Sequence, residues 1–284
     1  MSRFDSVAVV DWSAGNDTGP TPRKDAIWAG CVIAGAPTEP VYLRNREHAF
    51  DWLSDLIATE LATGRRLLLG FDFPFAYPKG FACAILGRDD PLALWDFYAK
   101  ALKDTPRANN RFALASDLNA RFPGVGPFWF NGTATDHPHL PRRKLDRTDA
   151  HGLPERRRCE SQAKGTFTCW QMGGAGAVGG QVMTGMAMLS RLRAAFPGDL
   201  AAWPFEPLTA QVALVEIWPS LIADVVRREA DPIKDRAQVR LLSRALADLP
   251  SDALEQMLAV DAPREGWILG LGHEDALREA LCPA

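Results

Sequence analysis

The chain has 284 residues, 47% hydrophobic and 24% charged, which suits one large domain, or one domain with a substantial insertion, around a sizeable core. The formal net charge of −3 excludes a wholly basic nucleic-acid binder, so any such surface has to be local. No run of about 18 apolar residues occurs, and the opening MSRFDSVAVVDWSAG lacks a basic segment followed by a long apolar run, so neither a membrane span nor a signal peptide is expected.

Residues 7–11 are apolar and end on an acid, which reads as a buried strand. Ser13-Ala14-Gly15-Asn16-Asp17 is a loop signal. Residues 26–34 and 40–44 read as a second and a third strand, and their short links suggest an antiparallel meander. In 46–63, Phe50, Leu53, Ile57 and Leu61 fall three or four apart, a helix that Gly64 ends. Residues 66–72 form a strongly apolar fourth strand, again ending on an acid and stopped by Pro74 and Pro78.

From about 79 to 207 the texture changes to a long insertion rich in proline, glycine and arginine. It holds a helix at 91–103 and a glycine-rich segment, 173–185, leading into a helix at about 186–195. Long loops of this kind are usually functional or mobile. Residues 211–217 read as the fifth strand, with an acid near its end. Helices follow at 235–247, with Val239, Leu242 and Leu246 on one face, and at 251–260, where Ser251 makes a good N-cap. The expected fold is therefore α/β, with a mixed five-stranded sheet flanked by helices and no internal repeat.

Three of these strands end on acids: Asp11, Asp72 and Glu216. In open α/β sheets ligands sit beyond the carboxyl ends of the strands. Carboxylates that converge there repel one another unless a hard cation such as Mg²⁺ or Mn²⁺ neutralises them. Two such ions can activate water and stabilise the leaving oxygen of a phosphodiester. Taken singly, each acid reads more simply as an ordinary turn residue just past a strand; it is the three together that point to a site.

The segments Val-Asp-Trp-Ser-Ala (10–14), Gly-Phe-Asp-Phe-Pro-Phe (70–75), Val-Glu-Ile-Trp-Pro (215–219), Asp-Ala-Leu (252–254) and Glu-Gly-Trp-Ile (265–268) together resemble the family of predicted nucleases with the ribonuclease H-like fold, domain of unknown function 429. The resemblance spans nearly the whole chain, the insertion least. It implies metal-dependent phosphodiester hydrolysis, with Asp11 as first-strand ligand, Asp72 as fourth-strand ligand, Glu216 as fifth-strand carboxylate and Asp252 as the helix carboxylate completing the site. Asp261 is an alternative to Asp252. Trp12 and Ser13 depart from the glycine often found after the first acid. Arg158 and Glu160 resemble an Arg-x-Glu element that orients substrate.

The insertion adds a basic patch. Between His139 and Lys164 eight Lys/Arg face four acids, a local balance of +4 against about −7 for the remainder. Arg156, Arg158, Glu160 and Lys164 are its candidate substrate-binding residues, for nucleic acid or a phosphorylated small molecule. A solvated loop is the plainer reading. Glycines 173–180 precede a helix and offer backbone N–H groups to a phosphate, but no Gly-Lys-Ser/Thr follows, and close backbone packing explains them more simply. His137 and His139 lack a matching pair for zinc. Ser13 reads as a turn serine, and Trp129 and Phe130 either stack on a planar ligand or pack beneath the insertion.

Two rival functions stand beside hydrolysis. One is an enzyme acting on a nucleotide or phosphorylated small molecule. Similar proteins carry a label tying them to molybdopterin guanine dinucleotide synthesis, and Lys-Asp-Ala-Ile-Trp (24–28) extends that similarity. The other is a non-catalytic binding module on the same fold. Five cysteines (31, 83, 159, 169 and 282) with no C-x-x-C spacing suggest reduced thiols and a cytoplasmic setting.

Overall fold

Two uninterrupted apolar runs, Val7–Val10 and Leu67–Phe71, are almost fully buried, as strands covered on both faces must be. They form the middle of a seven-stranded mixed sheet in a computed structural model that describes residues 4–282. In chain order the elements are β1 (Ser6–Asp11), β2 (Trp28–Ile33), β3 (Ala36–Pro37), β4 (Val41–Tyr42), α1 (Arg46–Ala62), β5 (Leu67–Phe71), α2 (Phe81–Leu86), α3 (Pro91–Ala101), α4 (Arg111–Asn119), α5 (Arg158–Gln162), α6 (Gly179–Ala195), β6 (Leu200–Ala202), β7 (Val212–Glu216), α7 (Ala223–Val226), α8 (Lys234–Asp248), α9 (Ser251–Leu258) and α10 (Glu274–Glu279).

The chain divides into two compact units. The first comprises the residues up to Phe73, Leu192–Pro263 and the residues from Trp267 on; the second comprises Pro74–Arg191 with Arg264–Gly266. The first unit holds the sheet, in the order β3-β2-β1-β5-β7-β6, with β4 also on β2. β2 is antiparallel to β1, whereas β1, β5, β7 and β6 run parallel. Ala34 and Gly35 take left-handed backbone (φ 49° and 78°) to turn β2 into β3, the geometry of a two-residue hairpin. Helix α1 starts where Asn45 accepts from the amides of Glu47 and His48.

α8 lies directly on the sheet. A Cβ on Gly30 of β2 would come within 2.4 Å of the Val239 carbonyl oxygen, so only glycine lets helix and strand backbones touch. α8 buries Ala237, Val239, Leu241, Leu242, Ala245 and Leu246.

The second unit has a separate core of stacked and edge-on rings. Tyr77, Phe81, Phe128 and Trp170 lie with centroids 4.4–5.8 Å apart. Beside it Arg157 and Glu160, each with about 1% of its side chain exposed, form an ion pair at 2.7 Å. Arg157 also donates to the Glu265 carbonyl, while the Glu265 carboxylate accepts from the amides of Lys79 and Arg158.

Several expectations need correction. β6 lies inside the span read as insertion, yet it pairs with β7; three small or apolar residues carry no strand signal of their own. α6 begins at Gly179, within the glycine-rich segment. The N-cap of α9 is Pro250, with Ser251 already helical and no side-chain cap hydrogen bond. Among the described residues, no helix is long and apolar enough to cross a membrane.

Candidate functional site

Strand direction delivers the acids to one edge. Val10, Phe71 and Glu216 are in register across β1, β5 and β7. Asp11 and Asp72 therefore follow one row further on, at the carboxyl ends of neighbouring parallel strands. Side chains alternate along a strand, so Asp11 and Asp72 share a face and Glu216 starts from the opposite one. Trp12, Phe71 and Phe73 cluster with centroids 5.6–6.2 Å apart on that opposite face.

The face of Asp11 and Asp72 is the one α8 covers. Gly30 pairs with Val9, which is on the same face as Asp11, and Gly30 is the point where α8 touches. One helical turn from Val239 back to Asp235 spans about 6 Å, and two strand residues from Val9 to Asp11 span about 6.6 Å. Asp235 in the first turn of α8 thus comes level with Asp11. The Asp25 amide, on a left-handed residue (φ 57°), donates to Asp235 Oδ2 at 2.7 Å and fixes that side chain.

Charge and burial act on these groups together. Asp11 and Asp72 are half-buried by area, but the protein around them is dense enough that desolvation is the leading cause raising both. Asp72 is pushed up to about 7, first by burial, then by the charges of Glu216 and Asp235, with Lys234 opposing. Asp11 is also raised, by burial, then by the charges of Asp72 and Asp235. Asp235 is also raised, chiefly by burial, against the bond from Asp25 and the charges of Lys234 and Lys24.

Asp252 does not join them. α9 begins beside the opposite ends of the strands, where Ser251, Leu254 and Glu255 line a small cavity with Phe4, Val7 and Arg66. Val7 is four residues, roughly 13 Å, from Asp11 along β1. Asp252 and Asp261 are both exposed. The helix-start acid at this edge is Asp235 rather than Asp252, a position that reading the strand ends and the start of α9 did not reach. Its signal was an acid in the first turn of the most strongly amphipathic long helix. Among the described residues no three His, Cys, Asp or Glu are gathered closely enough to hold a metal ion outright. The edge presents electrostatically coupled carboxylates with Asp72 at their centre.

The basic patch is largely engaged internally. Arg142 donates to the carbonyls of Asn131 and Thr133, Arg143 pairs with Asp146, and Lys144 and Arg147 pair with Glu155. Arg156 donates to Thr166, and Glu160 is occupied by Arg157. Arg158 and Lys164 are exposed. The glycines serve packing: a Cβ at Gly173 or Gly174 would meet the Phe130 ring at 2.7–2.9 Å, and one at Gly176 the Phe167 ring. Ser13 Oγ accepts from the Gly15 amide and donates to the Asp25 carbonyl, as a turn serine does. His137 stacks on Phe112, and the His139 backbone bonds to Ser116 and Asn119.

No family model matches the chain, and neither a curated protein nor a solved structure matches it.

Proposed function

We propose that the carboxyl edge of β1 and β5 carries out metal-dependent hydrolysis of a phosphodiester. Asp11, Asp72 and Asp235 would hold one or two Mg²⁺ or Mn²⁺ ions, and Glu216 would add its charge from the other side of Asp72. The observation that carries the reading is the shared edge of Asp11 and Asp72 on neighbouring parallel strands, where burial first, and then the charges of Glu216 and Asp235, push the Asp72 carboxyl up to about 7. Acids placed so that they repel one another need positive charge, and a divalent ion supplies it with oxygen ligands. A bound ion would draw the side chains together, polarise the phosphate and lower the pKa of an attacking water. An antiparallel β2–β1 pair followed by parallel β5 and β7 suits a ribonuclease H-like reading of the sheet.

The test is hydrolysis of bis(p-nitrophenyl) phosphate and of labelled single- and double-stranded DNA and RNA, with Mn²⁺ or with chelator. Mn²⁺-dependent cleavage is expected, falling by about a hundredfold or more in Asp72→Asn, the scale of losing one electrostatic contact to the transition state. Cleavage of none of these substrates, or equal cleavage by the variant, contradicts the proposal.

A further inference from the structure

Buried N–H groups in folded chains have partners, and one that lacks a partner within the protein points to a ligand or an ordered water. Two such donors lie together in the second unit. The Arg147 side chain is 8% exposed. Its Nη1 donates to the Pro127 carbonyl at 3.0 Å and its Nη2 to Glu155 Oε2 at 2.8 Å, while its buried Nε has no partner among the described residues. The guanidinium carbon lies 5.8 Å from the ring centre of Trp129, whose buried indole Nε1 is likewise unpartnered among the described residues. Neither group is free to swing towards water. Two hydrogen bonds pin the guanidinium. The Trp129 amide donates to the Trp170 carbonyl, and its own carbonyl accepts from the Met172 amide. Phe130, which follows, holds left-handed backbone (φ 73°), rare for a bulky residue.

The charge beside these donors is positive. Glu155 is one carboxylate between two cations, Arg147 and Lys144, whose Nζ lies 3.1 Å from Oε1 but off hydrogen-bond geometry. A water accepting from both donors would need acceptors for its own hydrogens, and the acceptors that touch Arg147, the Pro127 carbonyl and Glu155, are already engaged. An oxyanion offers acceptor oxygens on every side, and its bond to a charged donor is of the stronger kind. We propose that Arg147 Nε and Trp129 Nε1 form a site for a phosphate-type oxyanion, one oxygen on each donor. Because both donors are buried, the group they take is a terminal phosphate; a diester would have to bury a chain on either side. The inference lies in the second unit and stands independently of the phosphodiester reading.

The experiment uses the full chain with chelator present, so that no metal recruits phosphate, as wild type, Trp129→Phe, Arg147→Lys and Asp72→Asn. Inorganic phosphate is titrated by ³¹P NMR, and phenyl phosphate in parallel. Trp129→Phe keeps an aromatic ring and loses one N–H. It is expected to bind phosphate about tenfold more weakly, equivalent to about 1.4 kcal/mol. Arg147→Lys keeps the charge without the Nε donor and should weaken binding likewise, whereas Asp72→Asn should bind as the wild type does. Phosphate should also raise the wild-type Tm, and that of Trp129→Phe by less. Binding of both ligands assigns the site to the end of a larger phosphate monoester, and binding of inorganic phosphate alone assigns it to the free anion. Three results overturn the proposal: no phosphate binding by the wild type, wild-type affinity in either donor variant with its circular dichroism unchanged, or an equal loss of affinity in Asp72→Asn.

Discussion

Asp72 is the residue on which the others converge, and its ionisation has a consequence for stability. Its pKa rises from 3.8 to about 7 in the folded chain. A carboxyl raised on folding favours the folded state while protonated, and that advantage is lost as pH climbs through the folded value. The metal-free protein should therefore lose stability between about pH 4 and pH 8. Asp72→Asn removes the buried charge, and with it the repulsion from Glu216 and Asp235, and should stabilise the metal-free chain at pH 8 by roughly 4 kcal/mol at most, and at pH 4 hardly at all. Thermal denaturation of both proteins across that range checks it; equal curves at pH 8 would contradict a raised Asp72 carboxyl. Asp235 and Asp252 make a second pair for comparison. Both are acids in the first turn of a helix, and only Asp235 is at the carboxyl edge. Asp235→Asn should weaken Mn²⁺ binding, whereas Asp252→Asn should leave it unchanged, as calorimetry reads directly.

At the scale of elements, α8 decides which helix-start acid comes to the carboxyl edge, and Gly30 decides where α8 sits. Gly30→Ala brings a methyl group against the Val239 carbonyl. It should cost about 1–3 kcal/mol by overpacking and weaken Mn²⁺ binding by displacing Asp235, although Gly30 touches no ligand. Urea denaturation and the metal titration report the two effects separately. β1, β5, β7, α1 and α8 were legible in the sequence because each is a sustained apolar or periodic run. β6, α2 and α5 were not, since three to six residues carry too little pattern. The carboxylates Asp11 and Asp72 were legible for the same reason, as the last residues of clear strands. Which helix start completes them was not, because α8 and α9 begin at opposite ends of the sheet and only tertiary packing says which end. The proline- and arginine-rich texture of 79–207 likewise concealed a core, since its rings come from scattered positions. Within that core, Arg157→Ala should cost about 3–5 kcal/mol by leaving Glu160 buried and unpaired, measurable as a lowered denaturation midpoint.

For the whole molecule, the charge ledger read from sequence was correct in sum and misleading in place. The positive patch exists in the chain from His139 to Lys164, but its ion pairs and carbonyl contacts engage most of it within the second unit. The positive charges that oppose the rise of the carboxyls are those of Lys234 and Lys24, in the first unit. The most direct measurement is a calorimetric titration of Mn²⁺ into the metal-free chain at pH 6 and pH 8, beside Asp72→Asn. Protons and metal compete for the same carboxylates, so binding should be tighter at pH 8 and lost in the variant. Wild-type protein that takes up no Mn²⁺ at pH 8, or a variant that binds it equally well, would contradict a metal site on this edge.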